Sequence, residues 1–337
     1  MAPEPTLAPN PIGIFEALHA FQRTGVLVAA IQLGVFTAIA EGSTTIPDLA
    51  ARCQASEKGI RILCDTLVVD RFLTKDGEHY GNTQDAAIFL NQHSPAYMGG
   101  VTTFLNDPVM MIGFLQSVTD AVRKGGTMLP GSGSVEPENP LWVTFARAMA
   151  PMMLPAARAM ASLIPESGPY RVLDIAAGHG MFGIAMAQRN PQAQITAVDW
   201  SAVLEVAKEN AGKAGVADRV ETLPGNAFEV NWGTGYDAAL ITNFLHHFDA
   251  PTNTQFLRRV YDALKPGGQA ITLEFVPEDD RVSPPLAARF ALTMLTSTAK
   301  GDAFTFRELD GMLSAAGFAS SRQVRLETGQ SLIISTK

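Results

Sequence analysis

Three groups of residues in this sequence have the types and spacing to do chemistry. The first is Val172-Leu173-Asp174-Ile175-Ala176-Ala177-Gly178-His179-Gly180-Met181-Phe182-Gly183, an apolar strand that runs into a turn and opens a helix. Gly178 and Gly180 let the backbone turn tightly and approach a ligand closely. The second is Asp199, which ends the next apolar strand about 20 residues on, where a carboxylate can bond both hydroxyls of a ribose. The third is Asn243-Phe244-Leu245-His246-His247-Phe248-Asp249, which follows a later strand and holds two of the 6 histidines side by side. Imidazole exchanges protons near neutral pH, and in open α/β sheets ligands sit at the carboxyl ends of strands.

Gly178-x-Gly180-x-x-Gly183 satisfies the dinucleotide spacing, so a nicotinamide oxidoreductase has to be weighed. Asp174 argues against it. A carboxylate at the strand end before the turn opposes a pyrophosphate and suits a cation. S-adenosylmethionine carries a ribose, a sulfonium and an ammonium but no phosphate, and the pair Asp174 and Asp199 favours it. Moving a methyl from a sulfonium to an oxygen is an in-line displacement in which alignment does most of the work. A phenol, with a pKa near ~10, gains from a nearby base.

The elements that must position these groups change character near residue 165. Before it, helical periodicity dominates. Phe15, Leu18, Phe21 and then Val26, Ala29, Ile31, Val35, Ile39 read as two amphipathic helices. Thr45, Ser56 and Thr83 are placed to cap three more, and Phe72-Leu73-Thr74 with His79-Tyr80 forms a small hairpin around Asp76-Gly77. Helix, turn, helix and a β wing make a winged-helix pattern. Residues 107–165 read as methionine-rich helix interrupted by the loop Gly125 to Pro140, and Trp142, Phe145, Met149 and Met153 are candidates for an adaptable acceptor-pocket wall. After Pro165 strand and helix alternate. Strands are expected at Arg171 to Ile175, Gln194 to Asp199, Val220 to Leu223, Asp237 to Thr242 and Ala270 to Phe275, with a helix at Phe306 to Ala316 and a closing hairpin of Gln323 to Leu326 and Leu332 to Ser335. That alternation predicts an α/β fold with a parallel, Rossmann-like sheet covered on both faces.

Composition narrows the class. The chain has 337 residues, about two domains' worth, and a formal net charge of −8, from 25 Lys and Arg against 33 Asp and Glu. An acidic balance opposes broad nucleic-acid binding. A winged-helix regulator would need its helix Lys58 to Asp70 to read DNA, yet only Lys58 and Arg61 are basic near its start, while Cys53, Leu63 and Leu67 make an apolar face suited to a partner subunit. Two cysteines, Cys53 and Cys64, form neither a disulfide framework nor a four-ligand zinc site, and read as buried thiols in a reducing compartment. Met1-Ala2-Pro3-Glu4-Pro5 lacks the pattern of a secretory signal. Val26 to Ala40, the most apolar stretch, is shorter than the ~18–20 residues of a spanning helix. The expectation is a soluble, cytoplasmic protein with no membrane, nucleic-acid or metal partner.

These motifs together resemble the class I S-adenosylmethionine-dependent methyltransferases, and more narrowly the small-molecule O-methyltransferases that include plant caffeate and flavonoid enzymes and bacterial polyketide-tailoring enzymes. The resemblance spans nearly the whole chain, including Leu33-Gly34-Val35-Phe36 and Leu49-Ala50 early and Lys265-Pro266-Gly267-Gly268 late. It implies a winged-helix dimerisation domain over residues 1–100, a helical linker and acceptor wall over 101–165, and a cofactor-binding catalytic domain over 166–337. It implies a homodimer, a small hydroxylated acceptor, S-adenosylhomocysteine as the spent cofactor, and no metal. Asp174, Ala176, Gly178 and Gly180 would line the cofactor's methionine and ribose, Asp199 the ribose, and Trp200, Asn226, Ala227 and Phe228 the adenine, with Asn243 completing the set. Ala176 stands where a glycine is usual, and Asn226 where an aspartate is usual. The family's base falls on His246, and the glutamate that orients it, 28 residues on, falls on Glu274. A second family glutamate is replaced by Ala303, which leaves the base one carboxylate partner. His247 stands where the plant enzymes have aspartate, and is open between a supporting and a surface role. Phe290 and Met294 would join the acceptor wall. The same fold could instead methylate carbon or run non-methylating chemistry, but His246 with Glu274 argues for hydroxyl activation.

Overall fold

A computed structural model describes residues 10–337, so the reading of Met1 to Pro5 lies outside the described residues. The chain divides into two compact units, one ending at Thr102 and the other covering Thr103–Lys337.

In the first unit α1 (Ile12–Leu33) is one helix of 22 residues, where two were expected. The helix continues through Thr24 and Gly25, and the break comes only at Gly34, whose φ of 70° ends α1 and starts α2 (Val35–Ala40). Beginning at Ile12, α1 is long and apolar enough by length and composition to cross a membrane, which corrects the reading from Val26 to Ala40 alone. Ile14, Phe15, Leu18 and Phe21 on it are exposed. Next come α3 (Ile46–Arg52), α4 (Glu57–Val69), the antiparallel pair β1 (Leu73–Asp76) and β2 (His79–Asn82), and α5 (Gln84–Phe89). Thr45, Ser56 and Thr83 each cap the following helix by accepting a backbone N–H. Phe36, Leu49, Ile60, Leu67, Leu73 and Tyr80 form the core.

The second unit carries α6 (Thr102–Leu105), α7 (Pro108–Lys124) and α8 (Leu141–Ala161), then β3 (Tyr170–Ile175), α9 (Met181–Arg189), β4 (Ala193–Asp199), α10 (Ser201–Lys213), β5 (Val220–Pro224) and β6 (Tyr236–Thr242). There follow α11 (Ala250–Ala263), β7 (Leu264–Glu274), α12 (Pro285–Ser297), α13 (Phe306–Ala316), β8 (Ser320–Arg325) and β9 (Ser331–Thr336). The seven strands lie in the order β5-β4-β3-β6-β7-β9-β8, with β9 antiparallel to both neighbours and the rest parallel. The central strands are continuous apolar runs, as burial on both faces requires: Val172, Leu173 and Ile175 in β3, and Ala238 to Ile241 in β6. From β3 the chain steps outward through β4 to β5, and then restarts on the other side at β6. Right-handed crossovers therefore put α9 and α10 on one face and α11 on the other. The reversal opens a crevice between the carboxyl ends of β3 and β6, where such sheets bind ligands.

Gly183 lets α9 settle against the sheet. A Cβ there would meet Ile195 Cγ2 at 2.7 Å and Asp174 Oδ2 at 2.8 Å. Gly183→Ala should lower stability by about 1–3 kcal/mol in urea unfolding, because both neighbours lie on packed strands. Gly212→Ala, in open space on α10, is the matched control and should be neutral or mildly stabilising.

Candidate active site

The glycine turn crosses from β3 to α9 with Ala176, Gly178 and Gly180 at φ of 54°, 57° and 74°. Ala176 thus holds the left-handed backbone that a glycine adopts more cheaply. Asp174 is fully buried; its Oδ2 accepts the Gly183 N–H at 3.0 Å, and its Oδ1 has no partner. Burial raises its pKa to about 7, against the opposing pull of the Gly183 N–H. A buried carboxylate oxygen without a donor fits the ammonium of S-adenosylmethionine. Asp199 accepts from Gly178 N–H at 2.8 Å through Oδ2 and from Trp200 N–H at 2.7 Å through Oδ1. Burial lifts it to about 6, and each oxygen keeps a lone pair for a hydroxyl donor. His179 is buried and accepts the Met181 N–H at Nδ1, 3.1 Å away, while burial pushes its pKa down to about 4. It is a neutral turn residue.

The remaining cofactor candidates fall into two groups. Trp200 packs with Trp142 on Ala146, Val203 and Val206. Asn226 closes its own turn: Oδ1 accepts the Phe228 N–H at 3.0 Å and Nδ2 donates to Glu229 at 3.0 Å. Ala227 turns its carbonyl to Arg259, and Phe228 lies among Phe244, Phe248 and Phe256, with ring centroids 4.8–5.8 Å away.

His246 sits in the short turn Leu245–His247 just past β6, and Glu274 is the last residue of β7. Both are buried, and His246 Nδ1 lies 2.5 Å from Glu274 Oε2. The other oxygen of Glu274 accepts the N–H groups of Phe244 at 3.1 Å and Leu245 at 2.8 Å. An ionised carboxylate only accepts, so Nδ1 carries the proton and Nε2 keeps its lone pair. Asn253 of α11 donates from Nδ2 to the carbonyls of Leu245 and Phe248, at 2.8 and 3.2 Å. Asp302 N–H bonds the His246 carbonyl at 2.9 Å, beside Gly301, where a Cβ would come within 2.3 Å of that oxygen. Ala303 is buried, and Glu308 is spent on capping α13 through Thr305, so neither brings a second carboxylate to His246.

Three of the expected acceptor residues meet this turn. Phe290 stands edge-on to His246 at 4.8 Å and stacks on Phe275 at 4.1 Å. Trp142 lies edge-on to His247 at 5.3 Å, and Met153 Sδ lies 3.9 Å from Asn243 Nδ2. Phe145 stands one ring behind Trp142, at 5.7 Å, and Met149 and Met294 are buried on α8 and α12. His247 itself packs on His246 at 4.3 Å, with its Nδ1 buried and unpartnered. Burial and the adjacent His246 hold its pKa well below the usual imidazole value. Among the described residues no group of three His, Cys, Asp or Glu could hold a metal ion.

Comparison with known proteins decides what this crevice belongs to. Residues 143–319 match the O-methyltransferase domain family and residues 15–92 the O-methyltransferase dimerisation domain. The chain belongs to the S-adenosylmethionine-dependent O-methyltransferase family. A Streptomyces sahachiroi relative, 3-hydroxy-5-methyl-1-naphthoate 3-O-methyltransferase, is 29% identical over 90% of this chain and 88% of its own. A crystal structure of a Nostoc punctiforme protein, provisionally described as an O-methyltransferase, shares 48% identity over 98% of this chain and 100% of its own, with a TM-score of 0.94. Human N-acetylserotonin methyltransferase, solved with S-adenosylmethionine, shares the fold at a TM-score of 0.84 and 23% identity, over 99% of each chain.

Two residues that grip the turn of this methyltransferase were not singled out in its sequence. Asn253 had a signal, because it falls on the α11 stripe with Phe256, Leu257 and Val260. Gln330, which donates to Asn243 at 2.6 Å, follows a loop glycine and carries no periodic signal.

Asp174 gives the site a pH signature. Its folded pKa of about 7 lies above the ordinary 3.8, so ionisation opposes folding: the cost grows as pH rises from about 4 and is complete above about 7. That rise corresponds to on the order of 4 kcal/mol. Asp174→Asn keeps the bond from Gly183, at a cost of about 1–3 kcal/mol for an unpartnered amide. The variant should therefore unfold at higher temperature than the parent at pH 8 and lose that advantage near pH 4. Calorimetry across this range checks it; a variant less stable at pH 8 contradicts the assignment.

Proposed function

We propose that this O-methyltransferase moves a methyl group to a hydroxyl of a small aromatic or polyketide-like acceptor, with His246 as general base and Glu274 as its positioning partner. The single supporting observation is the buried 2.5 Å contact between His246 Nδ1 and Glu274 Oε2, which leaves Nε2 with a free lone pair. S-adenosylmethionine, when bound, supplies an electrophilic methyl on a sulfonium. Asp174, with its unpartnered Oδ1, would hold the ammonium, and Asp199 the ribose hydroxyls. The acceptor hydroxyl gives its proton to His246 Nε2 as its oxygen takes the methyl, and Glu274 stabilises the imidazolium that forms. Phe290, Trp142 and Met153 supply an apolar wall against which a flat ring can be aligned. The naphthoate specificity of the Streptomyces relative fits such a wall. The exposed apolar face of α1, within the segment matching a dimerisation domain, supports a homodimer.

A panel of hydroxylated aromatics with methyl-labelled cofactor tests the assignment. His246→Ala should lower transfer by about 10²–10⁴ while S-adenosylhomocysteine still binds. Glu274→Gln should fall similarly. Its amide can still accept from Phe244 and Leu245, but its NH₂ would face Nδ1 and force the proton onto Nε2, the wrong tautomer for a base. Parent-like turnover in either variant would falsify the base assignment.

A further inference from the structure

α12 ends at Ser297 without a glycine to close it, and Thr298 leaves it in extended backbone, at φ −126° and ψ 158°. The last carbonyls of a helix have no partner inside it and must find one elsewhere. Here the loop between α7 and α8 supplies the donors for three in a row. Thr127 donates its hydroxyl to Thr296 O at 2.6 Å and its N–H to Thr298 O at 2.9 Å, and Ser134 donates its N–H to Ser297 O at 2.8 Å. Thr127 lies 169 residues from Thr296 in sequence and is 1% exposed. Its hydroxyl also accepts the Leu129 N–H at 3.0 Å, and its carbonyl accepts Lys124 Nζ at 2.6 Å. All its polar groups are thus spent inside the protein. The close approach needs two glycines: a Cβ at Gly126 would meet Ala299 O at 2.7 Å, and one at Gly133 would collide with Ser297 O.

This seam joins the two helices that carry the aromatic wall. Trp142 stands in the first turn of α8, straight after the loop, and Phe290 stands on α12. Between them the rings form a row. Trp142 meets His247 at 5.3 Å, His247 meets His246 at 4.3 Å, and His246 meets Phe290 at 4.8 Å. Ring pairs are satisfied over a range of offsets and tilts, so the row alone does not fix its own length. Buried hydrogen bonds are narrower in length and angle. The bonds of Thr127 close the row into a circuit and give it one spacing.

We propose that Thr127 is a positioning residue for the acceptor. By pinning the loop before α8 to the end of α12 it sets the distance between Trp142 and Phe290, and with it where a flat acceptor lies against His246. The inference rests on the acceptor reading above and deepens it, because it names what holds the wall in place and not what touches the ligand.

Two variants separate spacing from mere support. Thr127→Val keeps the shape but loses the hydroxyl, which strips Thr296 O of its donor and the Leu129 N–H of its acceptor. Thr127→Ser keeps the hydroxyl. Transfer from methyl-labelled S-adenosylmethionine to 2-naphthol, and calorimetric titration with S-adenosylhomocysteine, are measured on the full-length protein. In Thr127→Val, kcat/KM for 2-naphthol should fall about tenfold or more, the scale of a small misplacement of a reacting group. S-adenosylhomocysteine affinity should stay within about twofold, because Asp174 and Asp199 lie on β3 and β4, away from the seam. Thr127→Ser should recover kcat/KM to within about threefold of the parent. Unchanged kcat/KM in Thr127→Val, an equal loss of S-adenosylhomocysteine affinity, or no recovery in Thr127→Ser overturns the proposal. Circular dichroism identifies a variant unfolded at the assay temperature; if Thr127→Val is one, Gly126→Ala, which presses the loop off Ala299 O, must show the same split. A parent that binds S-adenosylhomocysteine yet methylates neither 2-naphthol nor any other hydroxylated aromatic overturns the acceptor reading and this inference with it. Parent-like turnover in His246→Ala removes the base alone and leaves the seam standing.

Discussion

One buried carboxylate organises the turn that leaves β6. Glu274 accepts from two successive backbone N–H groups with one oxygen and meets His246 with the other. A turn leaving a sheet has orphan donors, and a buried imidazole has a free choice of tautomer; the same group resolves both. The cost of burying its charge is offset by three donors. Shape and chemistry are thereby tied together, since whatever holds the turn in place also decides which nitrogen can take a proton. Asn253 from below and Gly301 with Asp302 from the side hold the carbonyls of the same turn.

Much of this was legible in the sequence because it obeys local rules. The strands of the second unit are apolar runs bounded by turn residues, and α13 begins and ends at the expected residues because Thr305 with Glu308 closes a capping box and Gly317 takes the left-handed exit. The candidate positions Asp174, Asp199, His246 and Glu274 were legible because each lies at or just past the carboxyl end of a strand. The helical half was harder. The division of α1 from α2 hinged on Gly34 alone, and amphipathic spacing gave no reason to prefer that break over one near Gly25. Contacts between distant segments were beyond reach: nothing local to Gln330 points to Asn243, and nothing local to Asn226 reveals that its side chain is occupied by its own turn.

The candidate residues also sort by what they touch. Trp142 belongs at once to the cluster with Trp200 and to the ring contact with His247, so it joins the packing around Trp200 to the turn that carries His246. Phe290 is held between Phe275 and His246.

The isolated carboxylate oxygen of Asp174 has a wider consequence for how long the enzyme survives. Above neutral pH the fold by itself carries an ionised group in a dry place with one oxygen unanswered. A cation bound there would remove that burden, so the ligand would act as part of the interior while it stays. The gain in durability from ligand would then grow as the medium becomes more alkaline, and fade in acid, where the proton already does the same work. With the ammonium of S-adenosylmethionine on Asp174, as proposed, the lifetime of this enzyme would follow the supply of its methyl donor.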